Sequence, residues 1–125
     1  MRACVLVVEP DVWRQRSLVE VLRAFDYGAV GTPTVAHALS ALHGVAFDAV
    51  VLAIKPDHAE EIFAAVEAKK IQPSVKLIVV STEPPRAALP PELDEYVQNA
   101  SLLIAADNAL SRIFPAATAR RQPES

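Results

Sequence analysis

The chain has 125 residues, 52% of them hydrophobic, and a net charge of −3, which suits one domain with one core and argues against nucleic acid as the main partner, since phosphate neutralisation needs a basic surface. A single cysteine, Cys4, excludes an intramolecular disulfide framework and a cysteine-based zinc site, and in the run ACVLVV it reads as an inert buried thiol. No apolar run exceeds six residues, which is too short for a membrane span or a signal peptide, so a cytoplasmic location without membrane contact is expected.

The first six-residue run, 3–8, is predicted as a buried strand, because it is rich in Val and Leu without alternation. Residues 11–26 follow as a helix. Leu18, Leu22 and Phe25 fall on one face, with Arg14, Arg16, Glu20 and Arg23 toward solvent. A weaker strand is predicted at 27–31. Thr34 is a good N-cap for a helix over 35–43 that carries Val35, Leu39 and Leu42, with Gly44 as its C-cap.

Residues 48–54, DAVVLAI, form the next buried strand. Asp57 is placed as the N-cap of a helix over 58–70, with Ile62, Phe63 and Val66 on one face and Lys69 and Lys70 at the negative end of the dipole. A strand over 75–81 follows. Residues 90–99 open with prolines and acids, as a helical first turn can. The run 101–106, SLLIAA, is predicted as the fifth strand, and Asp107 caps a helix over 108–114 that ends at Pro115. Prolines Pro10, Pro33, Pro56, Pro73, Pro84 and Pro85 mark the junctions.

This alternation predicts a (βα)5 α/β domain over 1–115: a doubly wound, parallel five-stranded sheet. Residues 116–125 are polar and read as a tail or linker. Ligands of such sheets bind beyond the C-terminal ends of the strands. That singles out Glu9-Pro10-Asp11, Thr32, Ala53 to Asp57, Ser81-Thr82 and Ala105 to Asp107.

Those strand ends carry a resemblance. The stretch CVLVVEPDVWRQRSLVEVLRAFDYGAVGTPTVAHALSALHGVAFDAVVLAIKPD is similar to the first half of a bacterial response-regulator receiver (CheY-like) domain, and KLIVVST matches its fourth strand. The resemblance implies a flavodoxin-like strand order 2-1-3-4-5. It also implies a phosphorylation site in which an acidic pair holds Mg²⁺, an Asp accepts the phosphoryl group, and a hydroxyl and a Lys sense it. Such chemistry needs a carboxylate nucleophile, a hard cation and a fixed positive charge. Here the acidic pair falls on Glu9 and Pro10, and the acceptor on Ala53. The hydroxyl falls on Ser81, and the lysine on or near Ala105. No lysine occurs after Lys76, whatever the alignment. The strand-five aromatic of the family is missing from SLLIAA.

The resemblance therefore implies a degenerate pseudo-receiver in two-component-type phosphorelay signal transduction. It would act as a phosphorylation-independent protein–protein interaction module, not as an enzyme. Its partner would be a signalling kinase, an output domain or a second copy in a homodimer. No cofactor is expected, and Glu9 is only a weak metal candidate. Trp13, Arg16 and Tyr96 are candidates for the partner surface, although packing of Trp13 over the emptied site is preferred. One alternative is a phosphorelay receiver with a displaced acceptor, for which Asp57 and Asp48 are the candidates, although they read more simply as an N-cap and a strand-start residue. Another is a small flavodoxin-like ligand-binding domain or enzyme, against which only three glycines and the lack of a G-x-S-x-G elbow count. His37, His43 and His58 lack the spacing of a two-histidine metal site and read as solvated.

Overall fold

In the computed structural model, which describes residues 2–55 and 59–115, the chain alternates strand and helix for most of its length. The elements are β1 (Cys4–Val8), α1 (Val12–Ala24), β2 (Gly28–Thr32), α2 (Val35–Leu42), β3 (Ala49–Ala53), α3 (Ala59–Ala65), α4 (Glu67–Ile71), β4 (Lys76–Ser81), β5 (Glu95–Gln98) and α5 (Leu102–Ile113). All five strands are parallel, in the order 2-1-3-4-5. The fold is the doubly wound, flavodoxin-like one.

The unalternating strand sequences have a direct cause: both sheet faces are covered. Val5, Val7, Val51, Ile78 and Val80 face α1 and α5. Leu6, Val8, Val50, Leu52, Leu77 and Val79 face the layer of α2, α3 and α4. Every residue of β3 is buried. Among the described residues no helix is long and apolar enough to cross a membrane.

The end of α1 uses an aspartate where glycine is commoner. Asp26 has φ of 73°, and the amides of Asp26 and Tyr27 donate to the carbonyls of Arg23 and Leu22. That is a Schellman closure, with Asp tolerated in the left-handed region. The sheet edge at β2 is partly blocked, because Arg23 donates from Nε and Nη2 to the carbonyl of Ala29, at 3.1 and 2.8 Å. At the opposite end of the sheet, Arg2 reaches the Phe114 carbonyl at 3.0 Å and lies over the Tyr27 ring.

Several expectations need correction. Phe25 and Phe63 are about half exposed: Phe25 is the C-cap of α1, where the backbone leaves the helix and its side chain leaves the buried stripe, and Phe63 follows the buried Ile62 by one step of about 100° around α3. Gly44 has no left-handed φ, and His43 takes the C-cap of α2. The helix expected over 58–70 is broken at Val66 into α3 and α4. Cys4 is only half-buried; it is the first residue of β1, at the N-terminal end of the strand.

The largest correction is in the last third. Residues 90–99 are not a helix and 101–106 are not a strand. The fifth strand is Glu95–Gln98, and SLLIAA opens α5. Ala105, Ala106, Ala109 and Leu110 form one buried stripe at helical spacing, and Ser101 caps it by accepting from the Ile104 amide. Alanine favours a helix over a strand. β5 is an edge strand, so half-burial of Tyr96 and Val97 suffices. The connection 82–94 carries Pro84, Pro85, Pro90 and Pro91 and has no helix. Leu89 and Leu93 pack it onto the core, and Asp94 pins it by accepting from the Leu77 amide and from Lys69 Nζ, both at 2.7 Å. Residues 56–58, including Asp57 and His58, and the expected tail 116–125 lie outside the described residues.

Candidate functional site

The strand register decides which residues meet. Val8 pairs with Leu52 and Ala53 pairs with Val80. Glu9, Ala53 and Ser81 therefore come level at the C-terminal edge of the three central strands. They line a cleft of about 480 Å³ together with Pro10, Asp11, Arg14, Ile54, Lys55, Thr82 and Leu102. Four of the five positions expected from the sequence are thus brought together. The fifth is not: Ala105 is fully buried in the first turn of α5, between the helix and the sheet. The residue that follows β5 is Asn99, whose amide donates to the Ser81 carbonyl and whose Oδ1 accepts from the Ser101 amide.

Glu9 is 1% exposed, and a buried carboxylate needs partners. The first turn of α1 supplies them. Oε2 accepts from the Asp11 amide at 2.8 Å, and Oε1 accepts from Arg14 Nε at 3.2 Å. Even the Glu9 backbone carbonyl is taken, by Gln15 Nε2 at 3.0 Å. Gln15 fits there because residue 31 is glycine: an added Cβ would lie 2.6 Å from Gln15 Cγ. Asp11 is committed as the α1 N-cap, accepting from the amides of Trp13 and Arg14. Those bonds, the one from Arg14 foremost, hold its pKa below the usual carboxylate value.

Pro10 and Ala53 offer no side-chain donor or acceptor. Ser81 is buried, and its Oγ accepts from the Glu83 amide at 3.2 Å. Mg²⁺ wants near-octahedral oxygen ligands, usually including one or two carboxylates. The cleft presents one buried carboxylate with a donor on each oxygen and a second bound to a helix N-terminus. Among the described residues, no cluster of three or more His, Cys, Asp or Glu could hold a metal ion.

Trp13 does not pack over the cleft. It is 71% exposed, with the Arg16 guanidinium 5.4 Å from its ring. It borders a second hollow of about 410 Å³ between α1 and α5, shared with Arg14, Ser17, Leu18, Thr82, Ala100, Ser101, Leu102 and Leu103. Tyr96 is half-buried, and its hydroxyl donates to the Glu83 carbonyl at 2.8 Å. It clamps the loop after β4 and is not a free contact surface. It also means that the fifth strand does carry an aromatic, which the misplaced strand had hidden. Asp48 lies at the far end of the sheet and accepts from the Cys4 amide. His37 contacts Thr34 Oγ1 at 2.6 Å, away from the cleft.

The sequence reads the run Trp13-Arg14-Gln15-Arg16 as a solvated helix face, and the roles of Arg14 and Gln15 beside Glu9 go beyond that: Arg14 stays more than half exposed while it pairs with Glu9, and Gln15 holds the Glu9 carbonyl. The signal was present: an N-cap at Asp11 places Arg14 and Gln15 in the first turn, close to the strand end that carries Glu9.

No family model matches the sequence, and no curated protein matches it either. Solved structures do match in fold. The response regulator TrrA of Thermotoga maritima, solved with Mg²⁺ and BeF, is 21% identical over 89% of this chain and 98% of its own, with a TM-score of 0.69. A further structure, of histidine kinase ThkA in complex with TrrA, matches with a TM-score of 0.72 and 21% identity over 88% of this chain and 97% of the matched one. The chemotaxis response regulator CheY4 of Vibrio cholerae is 15% identical over 91% of this chain and all of its own, with a TM-score of 0.69. A protein assigned to pilus assembly (CpaE) from Burkholderia thailandensis is 22% identical over 87% and 95%, with a TM-score of 0.68. At these identities the likeness is one of fold.

Proposed function

We propose that this chain is a receiver-like protein–protein interaction module of two-component-type signal transduction that works without aspartyl phosphorylation and without enzymatic activity of its own. The observation that carries the reading is Ala53: a methyl group, 4% exposed, at the strand end where the resemblance places the phosphoryl acceptor. The rest of the cleft supports it. Glu9 is spent on Arg14 and the Asp11 amide, and Ser81 on the Glu83 amide. No lysine follows Lys76 in the sequence.

A module of this kind works by presenting a surface. Val12, Trp13 and Ile104 are each more than half exposed at the cleft end of the molecule, and tryptophan is frequent among residues that anchor interfaces. The neighbours bear on the nature of the partner, since one of them was solved in complex with a histidine kinase.

The test is incubation of the full chain with a small phosphodonor and Mg²⁺, followed by intact mass. No phosphoryl increment is expected, and beryllium fluoride is expected to leave the amide NMR spectrum unchanged. A stoichiometric mass increment on any residue, Asp57 included, would overturn the proposal, as would widespread shifts centred on the cleft.

A further inference from the structure

We infer that the Arg14 guanidinium is the resident cation of this cleft, standing beside Glu9 where a divalent metal would stand in a phosphorylatable site, and that it keeps the cleft closed to Mg²⁺ even when a second carboxylate is restored. The inference rests on the receiver-like reading of the site given above.

Glu9 carries its carboxylate at 1% exposure, and among the described residues its ionic partner is Arg14, with Nε at 3.2 Å. Arg14 is itself 57% exposed, so its charge is bound on one side and hydrated on the other. That arrangement costs the guanidinium little desolvation while it satisfies the buried acid. The position of Arg14 is set by backbone. Its amide donates to Asp11 Oδ1, so the residue is delivered by the N-cap of α1 to the strand end that bears Glu9.

Three features then exclude a metal. The remaining donor on Glu9 is the Asp11 amide, which fixes Oε2 and leaves the carboxylate no freedom to turn. The other member of the expected acidic pair is Pro10. A dehydrating divalent ion would also have to approach within contact distance of a like charge, and repulsion between close charges is strong away from bulk water. The register matters for the restored acid as well. Ala53 lies level with Glu9 on the neighbouring strand, so an aspartate there would face the Glu9–Arg14 pair and share the guanidinium.

The experiment titrates the 125-residue chain with MgCl₂ and MnCl₂, read by fluorescence of Trp13, the sole tryptophan, and by calorimetry. Wild type and Ala53→Asp are expected to show no saturable binding in the millimolar range. Ala53→Asp with Arg14→Ala is expected to bind at least about tenfold more tightly than Ala53→Asp alone. Ala53→Asp with Arg14→Lys, which keeps the charge, is expected to stay closed.

Equal binding by Ala53→Asp with and without Arg14 would overturn the inference, and so would saturation of the wild type at low millimolar Mg²⁺. If the double variant does not fold by circular dichroism, Arg14→Gln replaces Arg14→Ala. Paramagnetic broadening by Mn²⁺ in the wild type supplies a reading that needs no variant: selective loss of the Asp11 and Arg14 amide signals refutes a resident cation. Phosphorylation and cation binding are separate readouts, so the proposed function and this inference can fail independently.

Discussion

Removing the Arg14 guanidinium while leaving Glu9 in place exposes how the cleft is held together. The pair spans two environments, with Glu9 1% exposed and Arg14 57% exposed. Breaking a fully buried pair costs about 3–5 kcal/mol, and a surface pair is worth at most about 1. Here one end is hydrated, and the Asp11 amide still satisfies Oε2. Arg14→Met, which keeps the aliphatic stem, is therefore expected to cost about 1–2 kcal/mol. With a urea m-value of about 1–1.5 kcal/mol/M for a chain of this size, the unfolding midpoint falls by about 1 M. The same substitution in a Glu9→Gln background is expected to cost less than about 0.5 kcal/mol, which gives a coupling energy near 1 kcal/mol. Equilibrium urea unfolding of the four proteins, followed by circular dichroism, measures the cycle. A cost for Arg14→Met that is the same in both backgrounds, or within about 0.3 kcal/mol of zero, would refute the reasoning.

Four further outcomes follow from the same geometry. Asn99→Lys is expected to cost about 1 kcal/mol or less, since it loses one bond to the Ser101 amide, while Ala105→Lys buries a charge in a site of 0% exposure and costs about 3 kcal/mol or more; thermal melts rank the two, and the reverse order would place the end of β5 elsewhere. Gly31→Ala pushes on Gln15, so its cost should fall by about 1 kcal/mol in a Gln15→Ala background, with additivity as the refuting result. Burial pushes the Tyr27 hydroxyl above its usual pKa, opposed by Ser111 and Arg2, so the neutral form is favoured by folding. That stability is complete below the unfolded value of about 10 and lost as pH rises through the folded one, and Tyr27→Phe should flatten the alkaline limb of a melting-temperature profile. The depressed pKa of Asp11 has the opposite sense: its stabilisation is present above the unfolded value of 3.8 and lost as pH falls. Asp11→Ala is expected to melt below wild type at pH 7 and to converge with it under acid conditions.

How far the fold was legible varied along the chain. Up to residue 81 the strands were read to within a residue or two, because Val, Ile and Leu runs buried on both sides leave little alternative. The spacing of Leu18 and Leu22 and the cap at Thr34 placed two helices. After residue 81 the reading failed, because SLLIAA is apolar enough for a strand and too short to show its period by itself. Only when it is joined to DNALSRI does the helical stripe of Ala105, Ala106, Ala109 and Leu110 emerge. EYVQ was passed over because its neighbours are polar, and an edge strand tolerates that. The error carried into the site, displacing the lysine position to Ala105 and hiding Tyr96.

By itself the sequence determined the parallel sheet covered on both faces, the level of Glu9, Ala53 and Ser81 at its C-terminal edge, and the absence of a carboxylate at residue 53. These are properties of hydrophobic runs and of single positions, and local pattern suffices to read them. Tertiary structure alone decided where the fifth strand lies, that Tyr96 clamps the β4–β5 loop, that Trp13 points outward, and that Arg14 neutralises Glu9. Each of those depends on which side chains the register and the helix caps bring within a few ångströms. Contacts between residues on different elements leave no periodicity in the chain that could announce them.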